Sequence, residues 1–210
     1  MTYLQLVNKL LVRLRENEVS TVGENSYSKL IGEYVNDAKR SVENAWDWTG
    51  LRNTLTVDTQ ANVFNYVLTD ADNTIKILDV TNDSNNFFLQ YRASQWFDNA
   101  FLDFASVPKG TSQYYSINGI NGVDLYPIPD KAYTLRFNVV LRTTDFTNDT
   151  DPLNIPFNPV VRLATALAAR ERGETGGTSA AELFALADAS MADAIAMDAA
   201  LHPEETIWYS

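Results

Sequence analysis

The sequence predicts an α+β protein: a helical bundle formed by N- and C-terminal helices, with an antiparallel β domain inserted between them. Three observations carry this reading. Apolar residues near both ends of the chain recur at three- and four-residue steps, which gathers them on one face of a helix. Between those ends, short runs of alternating apolar and polar residues are separated by turns rich in Asn, Asp, Gly and Pro. The change of period falls inside one stretch, Asn25 to Asp58, which reads as a long helix turning directly into a strand. The expected organisation is a helical hairpin over residues 1–52, a β domain with a short covering helix over 53–145, and C-terminal helices plus an extended tail over 146–210.

Thr2 to Glu16 reads as the first helix, with Leu4, Val7, Leu10, Leu11 and Leu14 on one face and Thr2 as cap. Asn17 to Glu24 is a loop. In the organising helix, Leu30, Ile31, Tyr34, Val35, Ala38, Val42, Ala45 and Trp46 share a face, and Asn25 or Ser26 caps the start. Trp46, Asp47 and Trp48 follow, Gly50 is placed to end the helix, and the chain turns to period two. In that first strand Leu55 and Val57 lie on one face, Thr54 and Thr56 on the other. Trp46 and Trp48 therefore mark a domain corner, where two large aromatics would fasten a helical layer to a sheet.

The strand candidates are Thr54–Thr59, Val63–Leu68, Thr74–Val80, Phe87–Arg92, Gln113–Ile117, Val123–Tyr126 and Tyr133–Leu141. Asn118-Gly119 and Asn121-Gly122 favour positive φ and are strong hairpin signals. Such short strands and tight turns imply an antiparallel sheet. Ser94 to Phe104 interrupts them with a short amphipathic helix expected to cover one sheet face. Asp145 to Pro159 is a polar, proline-bearing crossover. Helix then resumes over Val160–Arg172, and Ser179-Ala-Ala-Glu182 has capping-box spacing for a last helix running to Leu201. The face of that helix is small, with Leu183, Phe184, Ala187, Met191, Ile195 and Ala199, which favours close packing on other helices.

With 210 residues the chain is one large domain or two small ones. No apolar run approaches the ~18 residues of a membrane span, so a soluble, intracellular protein is expected. Cysteine is absent, which excludes disulfides and thiolate metal sites. The formal net charge is −11, and Gly173 to Ser210 carries seven acids with no Lys or Arg. Such a chain repels phosphate backbones, which argues against tight nucleic-acid binding. The acidic C-terminal stretch reads as a solvated face or as a surface for a basic partner.

Chemistry is hard to find. His202 is the single histidine and lies beside a proline, where it reads as a helix C-terminal residue. There is no phosphate loop, nucleophile elbow or His-Glu-x-x-His pair. Asp70-Ala-Asp72 and Asp149-Thr-Asp151 lack the glycine and downstream glutamate of a calcium loop and read as turns. No enzymatic activity, cofactor or metal is expected.

In order and spacing, two segments resemble the head-to-tail adaptor (connector) proteins of tailed bacteriophages, in particular the tail tubular protein A type of short-tailed phages. The first is Ser26 to Asp58, with its Trp46-Asp-Trp48 corner. The second runs from Gln113-Tyr-Tyr115 through Val123-Asp-Leu-Tyr-Pro-Ile-Pro-Asp130 and Tyr133-Thr-Leu-Arg-Phe137. It continues to Pro159-Val-Val-Arg-Leu163 and Ala168-Ala-Arg-Glu-Arg-Gly-Glu174. The resemblance implies a virion protein, assembled in the host cytoplasm, that forms a dodecameric ring between the portal protein and the tail nozzle protein. It also implies a C-terminal segment that meets the portal, here Glu204, Glu205, Ile207, Trp208 and Tyr209, and a lumen through which DNA passes without specific binding. Another neck or tail-completion protein is an alternative. A different class, a carbohydrate-binding β module, would use Trp96, Tyr114, Tyr115 and Tyr126 as stacking platforms, and exposed coplanar rings would mark it.

Overall fold

A computed structural model describes residues 1–70, 72–102, 107–119, 121–173 and 179–202, without the side chains of 179 and 180. The chain divides into two compact units, one of Met1–Leu51 with the chain from Asp145 onward, the other of Arg52–Thr144.

In the helical unit, α1 spans Tyr3–Arg13 and α2 spans Ser26–Ala45. Both start with a reciprocal cap. Thr2 Oγ accepts from the Gln5 N–H while Gln5 Oε1 accepts from the Thr2 N–H. Asn25 Oδ1 accepts from the Ser28 N–H at 2.8 Å while Ser28 Oγ accepts from the Asn25 N–H. Asn25 is therefore the cap, and two of the otherwise orphaned N–H groups at the start of α2 are satisfied within one turn. Leu6, Val7, Leu10 and Leu11 of α1 and Ile31, Val35, Ala38 and Val42 of α2 are buried, as their spacing requires.

The end of α2 departs from expectation. The helix stops at Ala45, and Trp46 is already extended at φ −153° and ψ 158°. Ala45 and Trp46 consequently leave the buried face. The reason lies in Trp48, whose Nε1–H donates to the Val42 carbonyl at 2.7 Å. That carbonyl belongs to the last turn, which has no intrahelical donor of its own, so the indole replaces a further turn of helix. Gly50 does not stop the helix. It sits in a short 3₁₀ turn, Thr49–Leu51, where an added Cβ would lie 2.1 Å from the Asn154 carbonyl oxygen.

From Asp145 the chain returns and closes the unit. The Asn36 side chain is buried and accepts from the Phe146 N–H at 3.0 Å while donating to the Phe146 carbonyl at 3.2 Å. The first N–H groups of α1 also find partners here, Tyr3 on the Asp151 carbonyl and Leu4 on the Asp149 carbonyl. The next helix of this unit covers Phe157–Glu171 and is named α4, because a short helix of the β unit, α3 (Ser94–Ala100), precedes it in the chain. It starts three residues before the expected Val160. Pro159 permits this, because a proline in the first turn lacks an N–H that would be unpaired anyway. Val160, Val161, Ala164 and Ala168 are buried against the other helices. α5, Ser179–Ala199, packs on α4 through a covered face that includes Leu183, Ala187, Met191 and Ile195.

The second unit holds two four-stranded sheets. Its strands are β1 Arg52–Asp58, β2 Asn65–Val67, β3 Thr74–Asn82, β4 Phe87–Phe88, β5 Gln90–Tyr91, β6 Tyr114–Asn118, β7 Gly122–Tyr126 and β8 Thr134–Arg142. One sheet has the order β1-β8-β3-β4 and the other β2-β7-β6-β5. Pairing is antiparallel except between β5 and β6, which run parallel. That exception arises because the expected strand Phe87–Arg92 is split: Leu89 turns inward, and the chain leaves the β3 edge for the β6 edge. Leu135, Phe137 and Val139 of β8 alternate into the core with Val80, Val123 and Leu125. Gly119 and Asn121 both take φ 57° at the β6–β7 turn, which the two Asn-Gly pairs anticipate. α3 lies against β6 and β7, with the Trp96 ring 5.1 Å from Tyr114 and 5.2 Å from Tyr126.

Two consequences for stability follow from the contact between α1 and α2. At Gly32 an added Cβ would lie 2.3 Å from Tyr3 Oη and 2.9 Å from Val22 Cγ1. Alanine normally gains about 1 kcal/mol over glycine inside a helix, but overpacking costs about 1–3 kcal/mol. Gly32→Ala is therefore expected to destabilise, and a rise in the urea midpoint would contradict this packing. Burial, then Glu33, Asp145 and Asp149, pushes the Tyr3 hydroxyl up to about 12. A raised folded value means its contribution is complete below pH 10.0 and is lost as pH climbs toward 12. In alkaline unfolding titrations Tyr3→Phe should lose less stability across that window than the parent; an identical slope would remove Tyr3 as a contributor.

Candidate functional site

The corner that the two tryptophans occupy is built as a clasp on the end of α5. Trp48 is completely buried and bonded to Val42. Trp46 is exposed, and its Nε1–H donates to Asp198 Oδ2 at 3.0 Å. The same carboxylate accepts from the Thr49 backbone N–H at 3.1 Å, and Thr49 Oγ1 bonds His202 Nε2 at 2.8 Å. Both indoles thus spend their N–H groups inside the helical unit. Nothing in the sequence pairs Asp198 with Trp46, because they lie on elements 152 positions apart.

A buried ion pair sits further along α2. Lys39 Nζ lies 3.2 Å from Glu43 Oε1, with both residues almost fully buried, and over the Phe146 ring at 5.1 Å. Sequence reading missed it, although both residues fall on the Ile31–Val35–Ala38–Val42 stripe by spacing.

The outward faces of the same unit are charged and partly apolar. Between α4 and α5 runs a groove of about 700 Å³ lined by Phe157, Leu186, Ala189, Asp193, Met197 and Leu201 among others. Beside α1, Met1, Gln5, Asn8, Lys9, Val12, Arg13 and Glu18 line a shallow pocket of about 570 Å³, with Lys9 Nζ over the Phe157 ring at 4.4 Å. Burial, and then the charge of Arg162, lowers the Arg13 guanidinium from its ordinary value.

In the β unit, the rings proposed as a sugar platform pack on one another. Trp96 meets Tyr114 at an interplanar angle of 53° and Tyr126 at 86°, and Tyr115 is buried. No common plane results. Of the acids named as metal candidates, Asp149 and Asp151 serve as loop acceptors: Asp149 Oδ1 takes the Val22 N–H, and Asp151 Oδ2 takes those of Thr147 and Asn148. Those two N–H groups hold the Asp151 carboxyl below its usual value. Among the described residues no three His, Cys, Asp or Glu gather as a metal site, and no helix is long and apolar enough to cross a membrane. Glu204, Glu205, Ile207, Trp208 and Tyr209 lie outside the described residues.

The clasp makes a direct prediction. Asp198→Ala removes the acceptor for two donors and should cost about 1–2 kcal/mol, given that bonds to charged groups are the stronger ones and this site is partly exposed. It should also speed amide exchange at Thr49, with Asp198→Asn intermediate. Exchange at Thr49 unchanged in Asp198→Ala would show that the clasp does not hold the corner.

Among the described residues, the helical unit thus presents cross-braces and open, partly apolar surfaces. A comparison with curated proteins finds no match. A family model described as SU10 adaptor protein matches residues 1–204, nearly the whole chain. The chain belongs to the SU10 adaptor protein family, and so is a structural adaptor protein of a bacteriophage.

Proposed function

We propose that this protein is the head-to-tail adaptor of a short-tailed phage, of the tail tubular protein A type. It assembles as a dodecameric ring between the portal and the tail nozzle and lines the channel through which DNA passes. The observation that carries this is the family match over residues 1–204, and the adaptor role within the virion follows from it. Charge supports the conduit. With −11 per chain, a ring repels the duplex at close range, and repulsion keeps DNA from adhering as it moves.

In this reading the C-terminal segment docks on the portal. It combines Glu204 and Glu205 with Ile207, Trp208 and Tyr209, and aromatic anchors of this kind are worth about 2 kcal/mol or more each when fully desolvated. The adaptor function needs no chemistry, and no residue is assigned a catalytic role.

The test is reconstitution with purified portal rings, imaged by negative-stain electron microscopy. The full chain should add a collar to one end of the portal; absence of any collar would reject the adaptor reading. A chain lacking Glu205 to Ser210 should keep its melting temperature and lose the collar. Undiminished portal binding by the truncated chain would reject the role of the tail alone.

A further inference from the structure

Among the described residues four strands end the two sheets, and three of them are too short to receive another chain. β2 has three residues, and β4 and β5 have two each. Where β4 leaves the outer side of β3 uncovered, β3 carries Lys76 and a bulge between Ile77 and Asp79. Short strands, lysines and bulges are the devices that keep a sheet edge from pairing with a further strand. β1 has none of them. Its seven residues keep unbroken register with β8, from Arg52 opposite Val140 to Asp58 opposite Thr134, and include no Pro, Gly or Lys. Asn53, Thr54, Thr56 and Asp58 are exposed. The Thr54 N–H goes to the Asn53 side chain at 2.7 Å and not to β8, whereas the Thr59 N–H goes to the Tyr133 carbonyl. Antiparallel pairing alternates along a strand, so Thr54, Thr56 and Asp58 turn their N–H and C=O groups to the open side. Leu55 and Val57 pack against the core of the unit but stay partly uncovered.

We propose that the β1 edge pairs with the β1 edge of a second copy of this chain, antiparallel and centred on Leu55. The strand reads Arg-Asn-Thr-Leu-Thr-Val-Asp, and about that centre it is nearly its own complement. Arg52 comes opposite Asp58, Thr54 opposite Thr56, and Leu55 opposite its own counterpart. Opposite charges and Thr–Thr are both favourable cross-strand pairs. Parity agrees with this register. Thr54 and Thr56, whose backbone groups face outward, form the hydrogen-bonded pairs. Leu55 falls at a close, non-bonded pair, where its half-covered side chain meets that of the other copy. A slip of one residue would set the polar face of one strand beside the apolar face of the other. The strand holds one base and one acid, so the contact itself escapes the repulsion that a net charge of −11 imposes elsewhere. Both copies offer the same surface, which makes the contact isologous, whereas neighbours around a cyclic ring meet through two different surfaces. The pairing is therefore a property of the chain outside the ring proposed above and does not rest on it.

The experiment follows the full chain by sedimentation velocity over a concentration series. The parent should populate a dimer, and Thr56→Pro should lose it. Proline at this position removes one outward N–H from each copy and none of the bonds to β8, and an edge strand tolerates proline where its N–H faces outward. A parent without a dimer, or a Thr56→Pro chain that dimerises as the parent does, overturns the pairing. Thermal unfolding checks that the variant keeps its fold. If it does not, single cysteines in this otherwise cysteine-free chain decide the matter. Leu55→Cys lies on the two-fold axis and should oxidise to a covalent dimer faster than Asn53→Cys. Position 53 is the more exposed of the two, yet in the proposed register it lies about 13 Å along the strand from its counterpart. Equal rates, or the reverse order, reject the pairing. Portal capture without this dimer rejects the pairing and leaves the adaptor role standing; a dimer without portal capture does the reverse.

Discussion

The buried face of α2 has no partner until α4 arrives from the far side of the β unit. α1 covers part of it, but Val35, Ala38 and Val42 reach full burial in a unit whose second half begins at Asp145. Each large apolar side chain so covered contributes about 1.5–3 kcal/mol. That gain is available only after some ninety residues of intervening chain have been looped out, a closure whose entropy cost grows slowly with length. Hence the placement of the β unit as an insertion: its ends must leave and rejoin the helices at Leu51 and Asp145. The rejoining stretch of chain is secured by specific bonds and not by apolar area alone. Asn36 clamps Phe146 from both sides, and the Asp149 and Asp151 carbonyls take the first N–H groups of α1. One short segment therefore caps one helix and brackets another.

The Lys39–Glu43 pair belongs to the same closure. Taking both charges out of water costs more than a surface pair returns, so its net contribution to stability is small or unfavourable. Its geometry is what matters: an ammonium seated on the Phe146 ring and held by a carboxylate one turn away accepts only one placement of the returning chain. An apolar substitute would fill the space but tolerate a shifted helix. At the other end of α2, the Trp46–Asp198–Thr49 clasp fixes α5 in the same manner, through directional bonds from few groups.

Much of this was legible in the residues. Period and turn chemistry located the five helices of the described residues and the strand regions, because burial on one face imposes its spacing on the sequence directly. The Asn118–Gly122 hairpin followed from single residues with strong local preferences, and the cap of α2 was narrowed to Asn25 or Ser26, of which the structure uses Asn25. Boundaries were lost where a tertiary partner overrode the local pattern. Trp48 ended α2 by taking the Val42 carbonyl, and Gly50, which reads as a helix stop, is instead a point of close backbone approach to Asn154. The split at Leu89 was invisible because Phe87 to Arg92 has one unbroken strand pattern, while the change of partner depends on where β3 and β6 lie. The clasp could not be read at all, since an Asp–Trp bond leaves no periodic trace.

Acidity sets two demands on such a protein that pull in opposite directions. In the ring proposed above, a channel for DNA is served by negative charge, yet copies that each carry −11 must overcome their own repulsion to assemble. Distance separates the two effects. At physiological ionic strength the Debye length is about 8 Å, so charges on remote parts of neighbouring copies are largely screened while contacting pairs are not. For the proposed ring, assembly would then depend on the sign of the few charges that touch, and passage on the overall acidity of the copies. It follows that added salt acts on the two in different degree. It weakens the broad repulsion first, because that repulsion works across long screened distances, and reaches the desolvated pairs of a formed contact last.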